Sequence, residues 1–244
     1  ANLQAEQVHY ERMLRHLSEE ALMEKDGTRL PDTFTVQFDG VSFVYGKKEK
    51  KVLNEKSFCI KEGERVGISG ASGTGKSTLV KLLLGQLEPT EGTVLYGGIP
   101  LGEICKEALY KKIAYISQDA KLFRESISEN LRLGKADASE DEMKEACKKA
   151  RIYDFISELP KGLDTDIGEN GSMLSGGQRQ RILLAKAFLR DADLYVFDEA
   201  TGALDGQVGE EIEKAIETLP KDKTIILVSH NKSLLNRCDR IISF

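Results

Sequence analysis

The chain has 244 residues, of which 40% are hydrophobic and 31% charged, and its formal net charge is −5. This is enough apolar material for a sizeable core, in one large domain or two small ones. The negative net charge argues against a nucleic-acid partner. The one short basic run, Lys47–Lys51, is typical of a solvated turn between strands. No apolar run approaches the ~18 residues that span a bilayer. We also expect no signal peptide, because no matching pattern occurs in the sequence.

The four cysteines, Cys59, Cys105, Cys147 and Cys238, are far apart and lack the spacing of metal ligands. They predict reduced thiols in a cytosolic compartment rather than a disulfide framework. The sequence starts without Met and stops on the strand-like run DRIISF. We therefore expect it to be part of a longer protein.

Residues 1–33 differ from the rest, because apolar residues recur among charged ones at helical spacing. These residues are Leu3, Tyr10, Leu14, Leu17 and Ala21. They predict an amphipathic helix that ends near Gly27 and Pro31. Such a helix either packs on its own domain or connects to another one.

Residues 34–68 predict four short strands, FTVQF, VSFVY, KSFCI and ERVGIS, separated by Gly40, Gly46 and Gly63. Farther along, apolar runs predict strands at 111–117, 193–197 and 224–229. Helical patterns at 125–159 and 206–218 alternate with these strands. The alternation indicates a parallel sheet covered on both faces.

The segment GASGTGKST fits the pattern GxxxxGK[ST], after a predicted strand and before an apolar helix. Glycines let the backbone N–H groups wrap a phosphate, while Lys76 reaches the β and γ oxygens and Ser77 ligates Mg²⁺. An ordinary glycine-rich turn is the alternative. The predicted phosphate-binding residues are Gly70, Ala71, Ser72, Gly73, Thr74, Gly75, Lys76, Ser77 and Thr78.

The apolar strand DLYVF ends in two carboxylates. Asp198 is predicted to lie by the metal. Glu199 is predicted to orient or deprotonate the attacking water, since adjacent like charges are costly without a role. The alternative is that Glu199 only complements a helix dipole. These two motifs indicate a P-loop NTPase and leave GTPases, AAA+ machines, helicases and small kinases open.

LSGGQ, residues 174–178, predicts a second anion-binding turn, in which Ser175 caps a helix and Gly176 and Gly177 expose N–H groups. If this turn and the P-loop converge, they serve one nucleotide in one chain. If they face apart, the turn serves the nucleotide of another copy, as a composite site at a two-fold axis.

LSGGQ ahead of a strand ending in Asp-Glu is similar to the signature motif of the ABC ATPase superfamily. Tyr45 resembles its adenine-stacking aromatic, and Gln118 resembles its Q-loop glutamine, which reaches Mg²⁺ and water. Residues 203–205 resemble the D-loop, although Gly202 stands where many exporters have Ser. His230 resembles the switch histidine that contacts the γ-phosphate. The resemblance covers residues 34–244.

Three of these residues also have a purely structural interpretation. Tyr45 could be an ordinary strand aromatic, Gln118 could cap a strand end, and His230 could be a satisfied core histidine. The segments QDAKLFRESISENLRLG and TDIGENGSMLSGGQ look like the helical subdomain of exporter-type transporters. There, residues 165–171 resemble the loop that touches the transmembrane domain.

The resemblance implies an α/β P-loop NTPase with a RecA-like parallel core. It also implies an antiparallel β-subdomain near 34–65, an inserted α-helical subdomain at about 119–178, and a linker at 1–33 from a missing transmembrane domain. ATP and Mg²⁺ are the implied cofactors, with the metal held by Ser77, Gln118 and Asp198. Glu199 and His230 are the implied catalytic residues.

The implied function is ATP hydrolysis that powers transport, at the cytoplasmic face of a cell membrane. The implied partners are the transmembrane domain and a second nucleotide-binding domain, whose Ser175, Gly176, Gly177 and Gln178 would close on the γ-phosphate. The alternatives are a non-transport ABC ATPase acting on DNA or ribosomes, and a regulatory ATP-binding module without turnover. The transported substrate cannot be read from this part of the protein.

Overall fold

The computed structural model describes residues 27–46, 50–117, 119–199 and 206–244. Three predicted features lie outside this range: the apolar stripe from Leu3 to Ala21 of the amphipathic helix predicted within residues 1–33, Gln118, and the D-loop at 203–205. Within the described ranges, no helix combines the length and the apolar character needed to cross a bilayer.

Helices and strands alternate along most of the described chain. The strands are β1 (Val36–Phe43), β2 (Leu53–Ile60), β3 (Arg65–Ser69), β4 (Glu91–Tyr96), β5 (Ile99–Pro100), β6 (Ile113–Ile116), β7 (Leu194–Asp198), β8 (Thr224–Val228) and β9 (Arg240–Ser243). The helices are α1 (Lys76–Leu83), α2 (Lys106–Lys111), α3 (Ile127–Arg132), α4 (Glu140–Lys149), α5 (Tyr153–Glu158), α6 (Gly176–Leu189), α7 (Gly206–Glu217) and α8 (Lys232–Leu235).

The strands form two sheets. One is antiparallel, in the order β2-β1-β4-β5, and the other is parallel, in the order β6-β7-β8-β3-β9. This confirms the α/β class, the parallel core and the presence of an antiparallel β-region. The carboxyl ends of β3, β7 and β8 lie side by side, which is where parallel sheets place their ligand sites.

The central strands β7 and β8 of the parallel sheet are buried on both faces, and alternate residues of β7 belong to different cores. Leu194 and Val196 pack with α1 and the antiparallel sheet. Tyr195 and Phe197 pack with the helices on the other face. Each buried side chain of this size contributes about 2 kcal/mol to the free energy of unfolding. Packing on both faces fixes the position of the end of β7, where Asp198 and Glu199 lie.

The antiparallel region extends beyond the predicted limits of 34–65, because β4 and β5 also belong to it. The turn between them is Gly97-Gly98, with φ angles of 54° and 78°. Positive φ at two successive residues is what a tight hairpin turn requires, and glycine adopts it without strain. Gly40 was also misread as a boundary, since it lies inside β1 at a bulge with φ 58°.

The strand predicted at 111–117 is too long at its start. Lys111 is the last residue of α2, where it forms an i,i+4 ion pair with Glu107 at 2.9 Å, and β6 begins at Ile113. Lysines that looked like strand residues therefore belong to the end of a helix, where cations complement the dipole.

The stretch predicted to be helical at 125–159 contains three short helices, α3, α4 and α5. After α3 the chain turns at Gly134, where a Cβ would lie 2.2 Å from the carbonyl oxygen of Lys186 in α6. Ser139 then starts α4 with a capping box, in which it exchanges two hydrogen bonds with Glu142. Close packing on α6 therefore breaks the helix. All three helices lie within the range predicted for the inserted subdomain.

Candidate functional site

The loop between β3 and α1 leaves the parallel sheet and opens a helix without a side-chain cap. Gly75 precedes α1 in a left-handed conformation with φ 98°, and a Cβ there would lie 2.9 Å from Leu53 Cδ2. Only glycine fits such a position without displacement. The uncapped N–H groups of the first turn can therefore receive an anion, and the exposed Ser77 lies in that turn.

Lys76 is 5% exposed, and its ammonium group lies within the loop. Nζ donates hydrogen bonds to the carbonyl oxygens of Gly70 at 2.9 Å and Ala71 at 3.0 Å. No carboxylate of the described chain forms an ion pair with it. A buried cation that is held only by neutral groups can readily accept an anionic ligand.

Asp198 and Glu199 end β7 at the same edge of the sheet. Asp198 is 6% exposed, and its Oδ2 accepts a long hydrogen bond of 3.4 Å from the Tyr115 hydroxyl. Burial, followed by the charge of Glu199, raises the pKa of Asp198. Burial, followed by the charge of Asp198, raises the pKa of Tyr115 to about 12. A bound cation would stabilise the ionised form of this buried carboxylate.

Glu199 and His230 come together from the ends of neighbouring strands. Glu199 Oε1 lies 3.0 Å from His230 Nε2, which in turn lies 3.4 Å from Lys76 Nζ. Glu199 has φ 52°, and its N–H donates to the carbonyl oxygen of Val228 at 2.9 Å. A left-handed glutamate is strained by about 1 kcal/mol and persists where the surroundings impose it. The strained turn directs the carboxylate towards His230.

Tyr45 lies beside the start of α1. Its hydroxyl forms a 3.0 Å hydrogen bond with Thr78 Oγ1, and its ring meets Phe43 edge-on with centroids 4.9 Å apart. Tyr45 is nevertheless 55% exposed. The ring is therefore fixed near the phosphate loop while much of its surface remains open for stacking.

The LSGGQ turn has the predicted helix-capping geometry. Ser175 Oγ accepts from the N–H of Gln178 at 3.2 Å, and Gln178 Oε1 accepts from the N–H of Ser175 at 2.8 Å. The N–H groups of Gly176 and Gly177 find no acceptor within the described chain. No hydrogen bond of the described residues joins this turn to the loop at 70–78. The chain thus brings Lys76, Glu199 and His230 together, whereas no hydrogen bond of the described residues links the second turn to them.

The sequence profile of the ABC transporter family matches residues 53–202, which is more than half of the chain. The chain belongs to the ABC transporter family. This ABC domain is 42% identical over 207 residues to the ATP-dependent lipid A-core flippase of Chromobacterium violaceum. The matched region covers 85% of this chain and 35% of that protein. It is 41% identical over 234 residues to a Haemophilus influenzae protein named "Probable ABC transporter ATP-binding/permease protein", which covers 95% of this chain and 42% of that one.

Among solved structures, the ABC domain resembles a bacterial Atm1-family ABC exporter with ATP bound, with a TM-score of 0.84 and 34% identity. The match covers 91% of this chain and 38% of that one. The identification as an exporter-type ABC nucleotide-binding domain is thereby confirmed. The ABC domain spans about a third of the length of the flippases it matches.

Sequence reasoning missed one neighbour of the site. Tyr115 was seen only as part of an apolar strand, yet its hydroxyl contacts Asp198. The available signal was its place near the carboxyl end of β6, since β6 pairs with β7. The predicted metal ligand Gln118 lies outside the described residues.

Proposed function

We propose that this ABC domain binds and hydrolyses ATP with Mg²⁺ and powers transport as the nucleotide-binding domain of an exporter. The observation that carries the proposal is the convergence of Lys76, Glu199 and His230 beside an uncapped helix N-terminus. The relatives are named as a flippase and an ABC exporter, and their remaining length leaves room for a transmembrane partner. The site would then lie at the cytoplasmic face of a membrane.

Binding follows from the geometry of the loop. The β- and γ-phosphates replace the carbonyl oxygens of Gly70 and Ala71 as partners of the Lys76 ammonium, since a charged acceptor binds it more strongly. The N–H groups of α1 close around the phosphates, and adenine stacks on the open face of Tyr45.

The residues present fit Mg²⁺, which prefers oxygen ligands and keeps several waters. Ser77 offers an exposed hydroxyl and Asp198 a buried carboxylate, with Gln118 proposed as a further ligand. When bound, Mg²⁺ neutralises charge on the β- and γ-phosphate oxygens.

For hydrolysis, Glu199 orients the attacking water and takes its proton, while His230 supports the γ-phosphate charge. A second ABC domain supplies the N–H groups of its own Gly176 and Gly177 to the same γ-phosphate. This arrangement explains why the turn at 175–178 has free donors but no bond to the loop of its own chain. Closure on ATP and opening after hydrolysis would move the attached membrane helices.

Phosphate release from Mg-ATP tests the proposal. Turnover should rise more than linearly with protein concentration, because two domains form each site. A linear dependence, or no phosphate release at any concentration, would contradict it.

Tyr45 offers a paired test of adenine stacking. Tyr45→Ala should weaken Mg-ATP binding about tenfold, because a base–aromatic stack contributes about 1–3 kcal/mol. Tyr45→Phe keeps the ring and loses only the bond to Thr78, so we expect affinity within about threefold of the parent. Calorimetric titration measures both variants, and equal losses in the two would rule out stacking as the role of the ring.

Asp198→Asn tests the metal site. It should weaken Mg-ATP binding about tenfold, since one ligand charge is lost, and leave ATP binding in EDTA unchanged. Asp193→Asn is the matched control, because Asp193 immediately precedes β7 and pairs with Lys112 and Lys223. An equal loss with and without Mg²⁺ would show that Asp198 does not hold the metal.

A further inference from the structure

A buried carboxylate lies outside the proposed reaction centre. Glu213 of α7 is 1% exposed, and its Oε2 has no hydrogen-bond partner in the described chain. The nearest cation is Arg237, whose Nη2 lies 3.7 Å from that oxygen, beyond hydrogen-bond reach. Burial is the largest cause of the raised pKa of Glu213. A carboxylate with an unsatisfied buried oxygen is costly, so its presence calls for an explanation.

The other oxygen of Glu213 makes one specific contact. Its Oε1 accepts a hydrogen bond of 2.8 Å from the side-chain amide of Asn231. Asn231 directly follows His230. The side-chain oxygen of Asn231, Oδ1, accepts a hydrogen bond from the N–H of Ser233 at 2.9 Å and so caps α8. The amide group of Asn231 thus bridges two helices: it donates to an acceptor on α7, Glu213 Oε1, and accepts from a donor on α8, the Ser233 N–H.

His230 itself has few contacts that could fix its direction. Its side chain is 52% exposed and meets only Glu199 and Lys76 among the polar groups of the described chain. Its position therefore depends on the residues on either side. Ser229 is buried and donates its N–H to the carbonyl oxygen of Ile68 at 3.2 Å. Asn231, on the other side, is exposed and is held by its bonds to Ser229 and Glu213.

We propose that Glu213 is a positioning residue for His230, which it holds in place through the side chain of Asn231. The contact ties the histidine turn to α7, the helix that follows the segment after Glu199. Without it, one side of the turn is released while the phosphate loop is left intact. The inference rests on the proposed function, because the role of His230 is in ATP hydrolysis.

Three single substitutions on the two sides of the contact test it. Glu213→Leu removes the acceptor at similar volume and should lower kcat for ATP about tenfold with KM nearly unchanged, since a small misplacement of a catalytic group is costly. Glu213→Gln keeps an acceptor oxygen and should stay within about twofold of the parent. Asn231→Asp keeps the cap on α8 but sets two carboxylates face to face, so kcat should fall as in Glu213→Leu.

The double variant Glu213→Gln with Asn231→Asp restores one donor and one acceptor in reversed order. It should recover most of kcat, which a general loss of stability would not do. Glu217→Gln is the matched control, because Glu217 lies one turn further along α7 and pairs with Arg237 without contacting Asn231. It should behave as the parent.

A second readout needs no turnover. The chain has three histidines, so nitrogen-15 NMR of the imidazole ring resolves His230, assigned by its loss in His230→Ala. Its signals should shift in Glu213→Leu and Asn231→Asp and return in the double variant. Unchanged signals and kcat in Glu213→Leu, or no recovery in the double variant, would overturn the inference. If the parent releases no phosphate, the proposed function fails, and the NMR result still decides the contact.

Discussion

Glu199→Gln is expected to bind ATP with the affinity of the parent and to lose at least about 100-fold in turnover, which is the usual contribution of a positioned general base. The structure supports this because Glu199 is held in a strained turn and directed towards His230, 3.0 Å from its Nε2. Glutamine keeps the shape and the hydrogen-bonding oxygen but cannot take a proton from water. ATP would then persist between two domains and prolong their dimer.

Two measurements check this expectation. Phosphate release gives turnover, and light scattering in Mg-ATP gives the lifetime of the dimer. Glu107→Gln is the control, because Glu107 is exposed on α2 and pairs only with Lys111 in the described chain. If Glu199→Gln hydrolysed ATP at the parent rate, another group would have to be the base.

Lys76→Ala is expected to weaken ATP binding about 100-fold, because charge-assisted hydrogen bonds contribute about 1.5–3 kcal/mol and Lys76 reaches two phosphates. In the free domain the ammonium donates to two backbone carbonyl oxygens and lies 3.4 Å from His230 Nε2, so the substitution removes no ion pair from the described fold. We therefore expect loss of nucleotide affinity without unfolding.

Calorimetric titration with Mg-ATP measures the effect, and circular dichroism checks the fold. Lys111→Ala is the matched control, since Lys111 is exposed and its only ion pair in the described chain is with Glu107. Unchanged affinity for Mg-ATP in Lys76→Ala would show that Lys76 and the loop at 70–78 do not bind the phosphates.

Short-range patterns predicted most of the proposed site. The loop at 70–78, the strand ending in Asp198 and the cap at Ser175 each depend on neighbours in sequence, and the structure has the strand and the cap as expected. The parallel core was also predictable, because short apolar runs alternate with helical patterns in the sequence.

The remaining features depend on contacts between distant residues. The break after α3 requires the approach of Lys186 to Gly134, and α2 ends where β6 pairs with β7. The sequences of β4 and β5 show little alternation of apolar and polar residues, although Gly97-Gly98 is a hairpin signal. The contact of Glu213 with Asn231 joins residues 18 positions apart and has no signature in sequence.

The central claim is that the turn at 175–178 serves the ATP of a second domain. Ser175→Arg in the Glu199→Gln background tests it most directly, by light scattering and by titration with Mg-ATP. The account predicts a monomer that still binds ATP as tightly as monomeric Glu199→Gln, while Ser157→Arg in the same background still dimerises. A Ser175→Arg chain that dimerises normally, or a monomer with weakened ATP affinity, would show that the turn acts elsewhere or on its own chain.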